Sequence, residues 1–340
     1  MKRIAIIGAG SWGTALAVMA ARAGHEVQLW SRNQAVISSI NGHHLNPFYL
    51  SAAQIPPGVT ATSEIETALR NTALVVFAAP SHAARELLTS LSPHLSESAI
   101  VVSVAKGIEI ETGKRISEIF KEVAGSKEVA GTTPPFVCLS GPSFAREVVA
   151  GHPTAIVAAS KDAAAARAVQ NDLSFENLRI YTNADVIGAE IGGSVKNVMA
   201  IAAGMAAGLG FGSNSVAALI TRGLAEITRL ARREGAQVET LMGLAGLGDL
   251  VLTCTGTLSR NRFVGEELGK GKRLEQITAE LTEVAEGINT ARAVKKLADR
   301  ASLEMPIVNE VNAVLYEGKS ARDAVSDLMS RPLREESSHG

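Results

Sequence analysis

Gly8, Gly10 and Gly13 follow the opening strand 3–7 in the order G-x-G-x-x-G and lead into an Ala- and Leu-rich stretch that ends before Gly24. Gly8 permits a tight turn, Gly10 removes the Cβ that would block a pyrophosphate, and Gly13 lets helix and strand pack closely. The backbone N–H groups of the turn are then aimed at an anion. An ordinary glycine-rich turn could carry the same triplet, but a strand before it and a helix after it point to dinucleotide binding. The second strand should end near Trp30, where an NAD-selective site places an acidic residue on the ribose 2′-hydroxyl. The chain reads Ser31-Arg32-Asn33 there. Arg32 can accept a 2′-phosphate, which favours or at least tolerates NADP, or it can be a solvated surface arginine.

Two lysines stand where lysines are unusual. Lys106 follows the apolar run 100–104 and precedes Gly107, at the carboxyl end of a strand, where ligands of open α/β sheets bind. It is a site residue or surface dressing. Lys196 lies in Glu190–Asn197 on an almost entirely apolar helix. Burial without a partner costs several kcal/mol and depresses the amine's pKa below its usual ~10.4, which suits a general acid or base. The structural alternative is a salt bridge with Glu190 or another acid. Ser140-Gly141-Pro142-Ser143 ends another strand and is by itself a turn signal. Gly246-Leu247-Gly248-Asp249 and Thr253-Cys254-Thr255-Gly256 lead to Ser259-Arg260-Asn261, where hydroxyls and a guanidinium before a helix suit a phosphate. Phe48 and Tyr49, after a polar loop, read as core residues. The histidines show no metal-ligand spacing, which makes metal chemistry unexpected.

The elements that position these residues fall into two classes. Up to about residue 185, Val- and Ile-rich runs alternate with Ala-rich helical stretches, the pattern of strand–helix units in a mostly parallel sheet. Six or seven strands are expected, at 3–7, 26–30, 74–78, 100–104, 136–139, 155–159 and 179–181. Beyond Thr182, helical spacing takes over, at 187–210, 216–234, 237–242, 262–269, 287–300 and 305–316. The expected fold is α/β: an N-terminal Rossmann-like doubly wound sheet over 1–185, then an all-helical domain over 186–330 and a mobile polar tail over 331–340. Gly188, Gly192, Gly204 and Gly208 recur every fourth residue or a multiple of it, as in closely packed helices.

Composition excludes other classes. The 340 residues suffice for about two domains with large cores. With 33 Lys and Arg against 34 Asp and Glu, the net charge is −1, and no basic block invites nucleic acid. A hydrophobic fraction of 46% describes a globular chain. Cys138 and Cys254 are the only cysteines, which suggests neither a disulfide framework nor a zinc site and fits a reducing cytoplasm. The apolar run near the N-terminus is too short for a signal peptide, and the stretch 198–211 is too short to cross a bilayer and reads as a buried helix. Neither secretion nor membrane insertion is expected.

Taken together, Gly8 to Gly13, Ala105-Lys106-Gly107, Gly141-Pro142-Ser143, Lys196-Asn197, Gly246 to Asp249 and Ser259-Arg260-Asn261 resemble the bacterial NAD(P)-dependent glycerol-3-phosphate dehydrogenases in order and comparable spacing, over essentially the whole chain. The resemblance implies a Rossmann-like domain plus a helical domain with the site between them. It implies reversible hydride transfer interconverting sn-glycerol 3-phosphate and dihydroxyacetone phosphate with NADP or NAD, to supply glycerophospholipid synthesis in the cytoplasm. Carried over by resemblance, Lys196 is the proton acceptor, and Lys106, Gly141, Ser143, Lys196, Asp249, Ser259, Arg260 and Asn261 touch the substrate. Gly8, Gly10 and Gly13 form the dinucleotide turn, and Ser11, Trp12, Arg32, Tyr49, Lys106, Ala145, Arg260, Val284 and Glu286 touch the cofactor. Many relatives are dimers, so the resemblance admits a homodimer. The competing readings are a dehydrogenase for a hydroxy acid or sugar nucleotide, a four-electron enzyme using Cys254 as nucleophile, and a non-catalytic dinucleotide sensor.

Overall fold

The computed structural model describes residues 1–125, 133–281, 283–333 and 335–336, so part of the tail 331–340 lies outside the described residues. The chain forms two compact units. The first comprises residues 1–106 and 115–189; the second comprises residues 107–114 and 190–340. The division thus falls four residues beyond the expected 185/186, inside one continuous helix, Val186–Gly208. A short excursion, 107–114, also joins the helical unit, where Lys296 Nζ and Arg300 Nη1 donate to the carbonyls of Ile110 and Thr112. Both acceptors are backbone carbonyls, which every residue carries, so the residue types of 107–114 do not mark the excursion.

The first unit is built on an eight-stranded sheet. Its strands are β1 (Arg3–Ile7), β2 (Glu26–Trp30), β5 (Val59–Thr62), β6 (Leu74–Phe77), β7 (Ile100–Ser103), β8 (Phe136–Ser140), β9 (Thr154–Ala159) and β10 (Leu178–Asn183). A separate hairpin pairs β3 (Leu45–Asn46) with β4 (Leu50–Gln54). The sheet order is β10-β9-β8-β7-β6-β1-β2-β5. All neighbours are parallel except β8 and β9. The chain builds outward from β1 to β5 on one side, then returns to place β6, β7 and β8 on the other. That reversal between β1 and β6 opens a crevice at the carboxyl ends of the strands. The apolar run Ile4–Ile7 explains why β1 lies inside the sheet: Ile4 and Ile6 pack into one core cluster, Ala5 and Ile7 into the other. Both faces are covered, so alternation disappears from the sequence.

Three strands escape the sequence reading. β5, Val-Thr-Ala-Thr, is an edge strand whose polar alternate residues face outward, and β3 and β4 are too short or too Ala- and Ser-rich to register as apolar runs. The helical unit likewise contains helices at Asp249–Thr255, Leu274–Glu280 and Ala321–Met329 that are not among those expected from helical spacing. Glycines and hydroxyls obscure the first of these. Its entry is a π-helical turn, Leu244–Gly248, in which a Cβ on Gly246 would lie 2.1 Å from the Leu241 carbonyl.

The long Val186–Gly208 helix is apolar and long enough to cross a bilayer, yet 94% of its most apolar window is buried inside the protein. Close packing against Arg260–Gly269 accounts for Gly204 and Gly208, and packing against the Ala245 carbonyl accounts for Gly192. A Cβ on Gly204 would lie 2.1 Å from the Arg262 carbonyl, and one on Gly265 2.0 Å from the Ile201 carbonyl. The two backbones meet through reciprocal gaps that only glycine leaves.

Glu226, buried on the helix Ser213–Arg233, accepts from the backbone N–H groups of Ile307 (2.8 Å) and Val308 (3.3 Å) at the start of the helix Pro306–Tyr316. Burial raises its pKa from 4.5 to about 7 against those N–H bonds and the nearby Arg229 and Arg331. The folded state therefore holds this proton more tightly than the unfolded chain does. Stability from this group is full below pH 4.5 and is lost as pH rises towards about 7. Urea midpoints measured across that window should fall with rising pH, and Glu226→Gln should flatten the slope; an unchanged slope in the variant would contradict the assignment.

Candidate active site

In the first unit the turn after β1 adopts the geometry its glycines suggest. Gly8 has φ +119°, and a Cβ there would lie 2.7 Å from the Ala78 carbonyl at the end of β6. A Cβ on Gly13 would lie 2.0 Å from the Gly8 carbonyl, whereas at Gly10 no atom stands within 4 Å of that position. Gly10 caps the helix Ser11–Arg22 without any side chain satisfying the first-turn N–H groups. An open gap over a helix start at the sheet's topological switch fits a pyrophosphate, so the residues present suit a dinucleotide.

Around that turn, Ser11 Oγ donates to the Tyr49 carbonyl at 2.6 Å. Trp12, Tyr49 and Ala145 are partly buried and pack against the same core cluster. Ser11 and Tyr49, two of the residues expected to hold the cofactor, are thus in direct contact. Arg32 is exposed just past β2, and among the described residues no carboxylate pairs with it. Next to it Asn33 caps the helix Gln34–His43 through the N–H groups of Ala35 and Val36.

Lys106 and Gly141 meet because β7 and β8 are paired Ser103 to Cys138, and each residue lies three positions further on. Lys106 Nζ donates to the Gly141 carbonyl at 3.0 Å, and Ser143 Oγ donates to the same oxygen at 3.0 Å. Gly141, at φ +134°, turns that carbonyl towards both, and a Cβ there would touch Ile156. Lys106, Gly141 and Ser143 form one cluster at the carboxyl end of the sheet.

The second unit assembles the remaining residues. Lys196 is 5% exposed, and its Nζ donates to the Asp249 carboxylate and, at 2.9 Å, to Thr253 Oγ1. Thr253 Oγ1 donates in turn to the Asp249 carbonyl at 2.6 Å. Asp249 and Thr253 are four residues apart on one helix, so they present a single face to Lys196. The partner that a buried lysine requires is supplied by Asp249, 1% exposed. Next along the helix, Asn197 Oδ1 accepts from Asn261 Nδ2 at 2.9 Å, and Asn261 Oδ1 accepts from Gly287 N at 2.9 Å. Asn261 thereby ties three helices together beside Lys196.

Ser259 caps the helix Arg260–Gly269, its Oγ accepting from Arg262 N. Arg260 is half exposed and pairs with Glu283 at 2.5 Å. Val284 is exposed, and Glu286 opens the helix Glu286–Arg300. Thr253 and Glu283 were not singled out individually in the sequence. The i, i+4 spacing of Asp249 and Thr253 was a legible signal; nothing local marked Glu283 as the partner of Arg260. Cys254 is buried, and burial pushes its thiol up to about 12, opposed by Lys196 and reinforced by Asp249. It is a neutral thiol at physiological pH, which removes the chemical basis for a cysteine nucleophile here.

Residues 3–166 match the family model for the N-terminal part of NAD-dependent glycerol-3-phosphate dehydrogenase, and residues 185–326 match the model for its C-terminal part. A glycerol-3-phosphate dehydrogenase, NAD(P)+, of Koribacter versatilis is 52% identical over 334 residues, covering 98% of each chain. Its counterpart in Parafrankia sp. is 49% identical over 97% of this chain and 98% of its own. The crystal structure of glycerol-3-phosphate dehydrogenase from Coxiella burnetii superposes with a TM-score of 0.92 at 37% identity, over 97% of this chain and 99% of that one. With both halves matched and the similarity running nearly end to end, the chain belongs to the NAD-dependent glycerol-3-phosphate dehydrogenase family.

Proposed function

We propose that this enzyme interconverts dihydroxyacetone phosphate and sn-glycerol 3-phosphate with NADPH or NADH, with Lys196 as the proton-transferring residue. When bound, the nicotinamide supplies or takes up the hydride at the substrate's central carbon. The chain's own part is to bind, orient and move a proton. Lys196 Nζ gives a proton to the carbonyl oxygen during reduction and recovers it from the hydroxyl in reverse. Asp249 and Thr253 hold that ammonium in place, and Asn261 fixes the neighbouring Asn197. Arg260 takes the substrate phosphate, with Ser259 and Asn261 fixing the helix start that carries it. Lys106, Gly141 and Ser143 offer a second polar group to the substrate, and Lys106 also lies on the cofactor-binding side of the sheet.

Gly8, Gly10 and Gly13 cradle the pyrophosphate. Ser11, Trp12, Tyr49, Ala145 and Arg32 complete the cofactor contacts of the first unit, and Arg260, Val284 and Glu286 contribute those of the second. The product supplies the backbone of glycerophospholipids, and we place the enzyme in the cytoplasm, where its two buried thiols stay reduced. The observation that carries the reading is a buried lysine anchored by an acid and a hydroxyl within a chain similar end to end to these dehydrogenases. The test is direct: purified protein should consume NADPH only when dihydroxyacetone phosphate is present, in a ratio of one to one. A ratio of two, or no consumption, would reject it.

Arg32 makes a separate prediction about cofactor choice. An exposed guanidinium past β2, which no carboxylate among the described residues pairs with, accepts a 2′-phosphate and does not repel it. Arg32→Asp should move the ratio of kcat/KM values towards NADH, by roughly 10-fold or more for one lost charge-assisted contact. An unchanged ratio would show that Arg32 is a solvated surface residue.

A further inference from the structure

Asn46 is completely buried in the hairpin β3–β4 and has no part in the function above. Its Nδ2 donates to the Ala9 carbonyl at 2.9 Å and to Thr14 Oγ1 at 2.8 Å. Thr14 Oγ1 in turn donates to the same carbonyl at 3.2 Å. Asn46 Oδ1, also buried, has no hydrogen-bond partner among the described residues. Burying an unpaired acceptor costs free energy, so this amide is not an efficient way to fill the core. Both of its hydrogen bonds go to the glycine turn.

The consequence lies in the Ala9–Gly10 peptide. That peptide is trans, so its C=O and N–H point in opposite directions. Holding the Ala9 oxygen on Asn46 and Thr14 therefore turns the Gly10 N–H the other way. No acceptor among the described residues takes that N–H, and the space beside Gly10 is open. Glycine at position 10 admits the pyrophosphate but also makes rotation of this peptide easy. The two donors remove that freedom. A second tie, Ser11 Oγ to the Tyr49 carbonyl, fastens the same hairpin to the same turn.

We propose that Asn46 is a positioning residue that, with Thr14, locks the Ala9–Gly10 peptide so that the Gly10 N–H is preorganised to bind the dinucleotide's pyrophosphate. The proposal rests on the dinucleotide reading of the turn. Its test compares two probes on the full chain by equilibrium binding: ADP-ribose, which carries the pyrophosphate, and adenosine 2′-monophosphate, which does not. Asn46→Leu keeps the volume and removes the donor. Its Kd for ADP-ribose should rise about tenfold, the size of one hydrogen bond, while that for adenosine 2′-monophosphate stays within about twofold.

Thr14→Val, which removes the other donor to the same carbonyl, should give the same split and decides the matter if Asn46→Leu fails to fold. Unchanged ADP-ribose binding in a folded variant, or equal losses for both probes, would overturn the proposal. Wild-type protein that binds neither probe would instead reject the dinucleotide reading itself.

Discussion

Lys196→Ala should lower kcat by ~10²–10⁴-fold, the range of general acid–base catalysis, while the affinity for NADPH stays close to wild type. Reduction of the carbonyl puts negative charge on its oxygen, and without a proton donor the alkoxide cannot be discharged. The single variant has a second effect, because it leaves the Asp249 carboxylate buried without its partner. Removing one member of a buried pair typically costs ~3–5 kcal/mol of stability, so a lower Tm is expected alongside the lost turnover. The two effects separate in the double variant Lys196→Met, Asp249→Leu, which removes both charges and leaves apolar groups of similar size. Such replacements are often neutral or stabilising. A double variant that melts near wild type, binds NADPH and is inactive assigns the proton to Lys196. Turnover within about tenfold of wild type in that protein, against the smallest loss expected of a general acid, would reduce the pair to a structural role.

The contrast between what the sequence disclosed and what it concealed has a physical basis. Gly8, Gly10 and Gly13 were legible because they answer to backbone geometry, which local spacing encodes. The central strands were legible because burial on both faces writes an unbroken apolar run. Lys196 was conspicuous because an apolar helix surrounds it, but its partner was not. Glu190, the near acid, lies six residues earlier, about 240° around the helix. Asp249 lies 53 residues on, brought to Lys196 by a π-helical turn that reads as a glycine loop. Ser259 shows the complementary difficulty, since a serine before a helix is as readily a cap as a ligand, and here its oxygen does cap the helix. Asn46 was hidden most deeply, in a two-residue strand with no pattern, although its effect falls on the most legible motif in the chain.

Arg260→Lys should raise the KM for dihydroxyacetone phosphate roughly 10- to 100-fold while changing the binding of dihydroxyacetone, which lacks the phosphate, very little. A guanidinium offers a planar fork matched to two phosphate oxygens, and an ammonium keeps the charge but not the fork. Loss of one such charge-assisted contact is worth ~1.5–3 kcal/mol, and each ~1.4 kcal/mol is a factor of ten. The lower part of that range is expected here, because Arg260 does not wait unpaired: Glu283 already takes its Nη1 at 2.5 Å. Substrate therefore exchanges one anion for another, and the gain is the difference between a phosphate held by the fork and a carboxylate held by one nitrogen. Half exposure of the Arg260 side chain keeps that exchange open to an incoming ligand. A modest loss of NADPH affinity should accompany the change, since the same guanidinium is assigned to the cofactor as well. Equal losses for the phosphorylated and phosphate-free substrates would place Arg260 outside the phosphate site and leave it as the ion-pair partner of Glu283 alone.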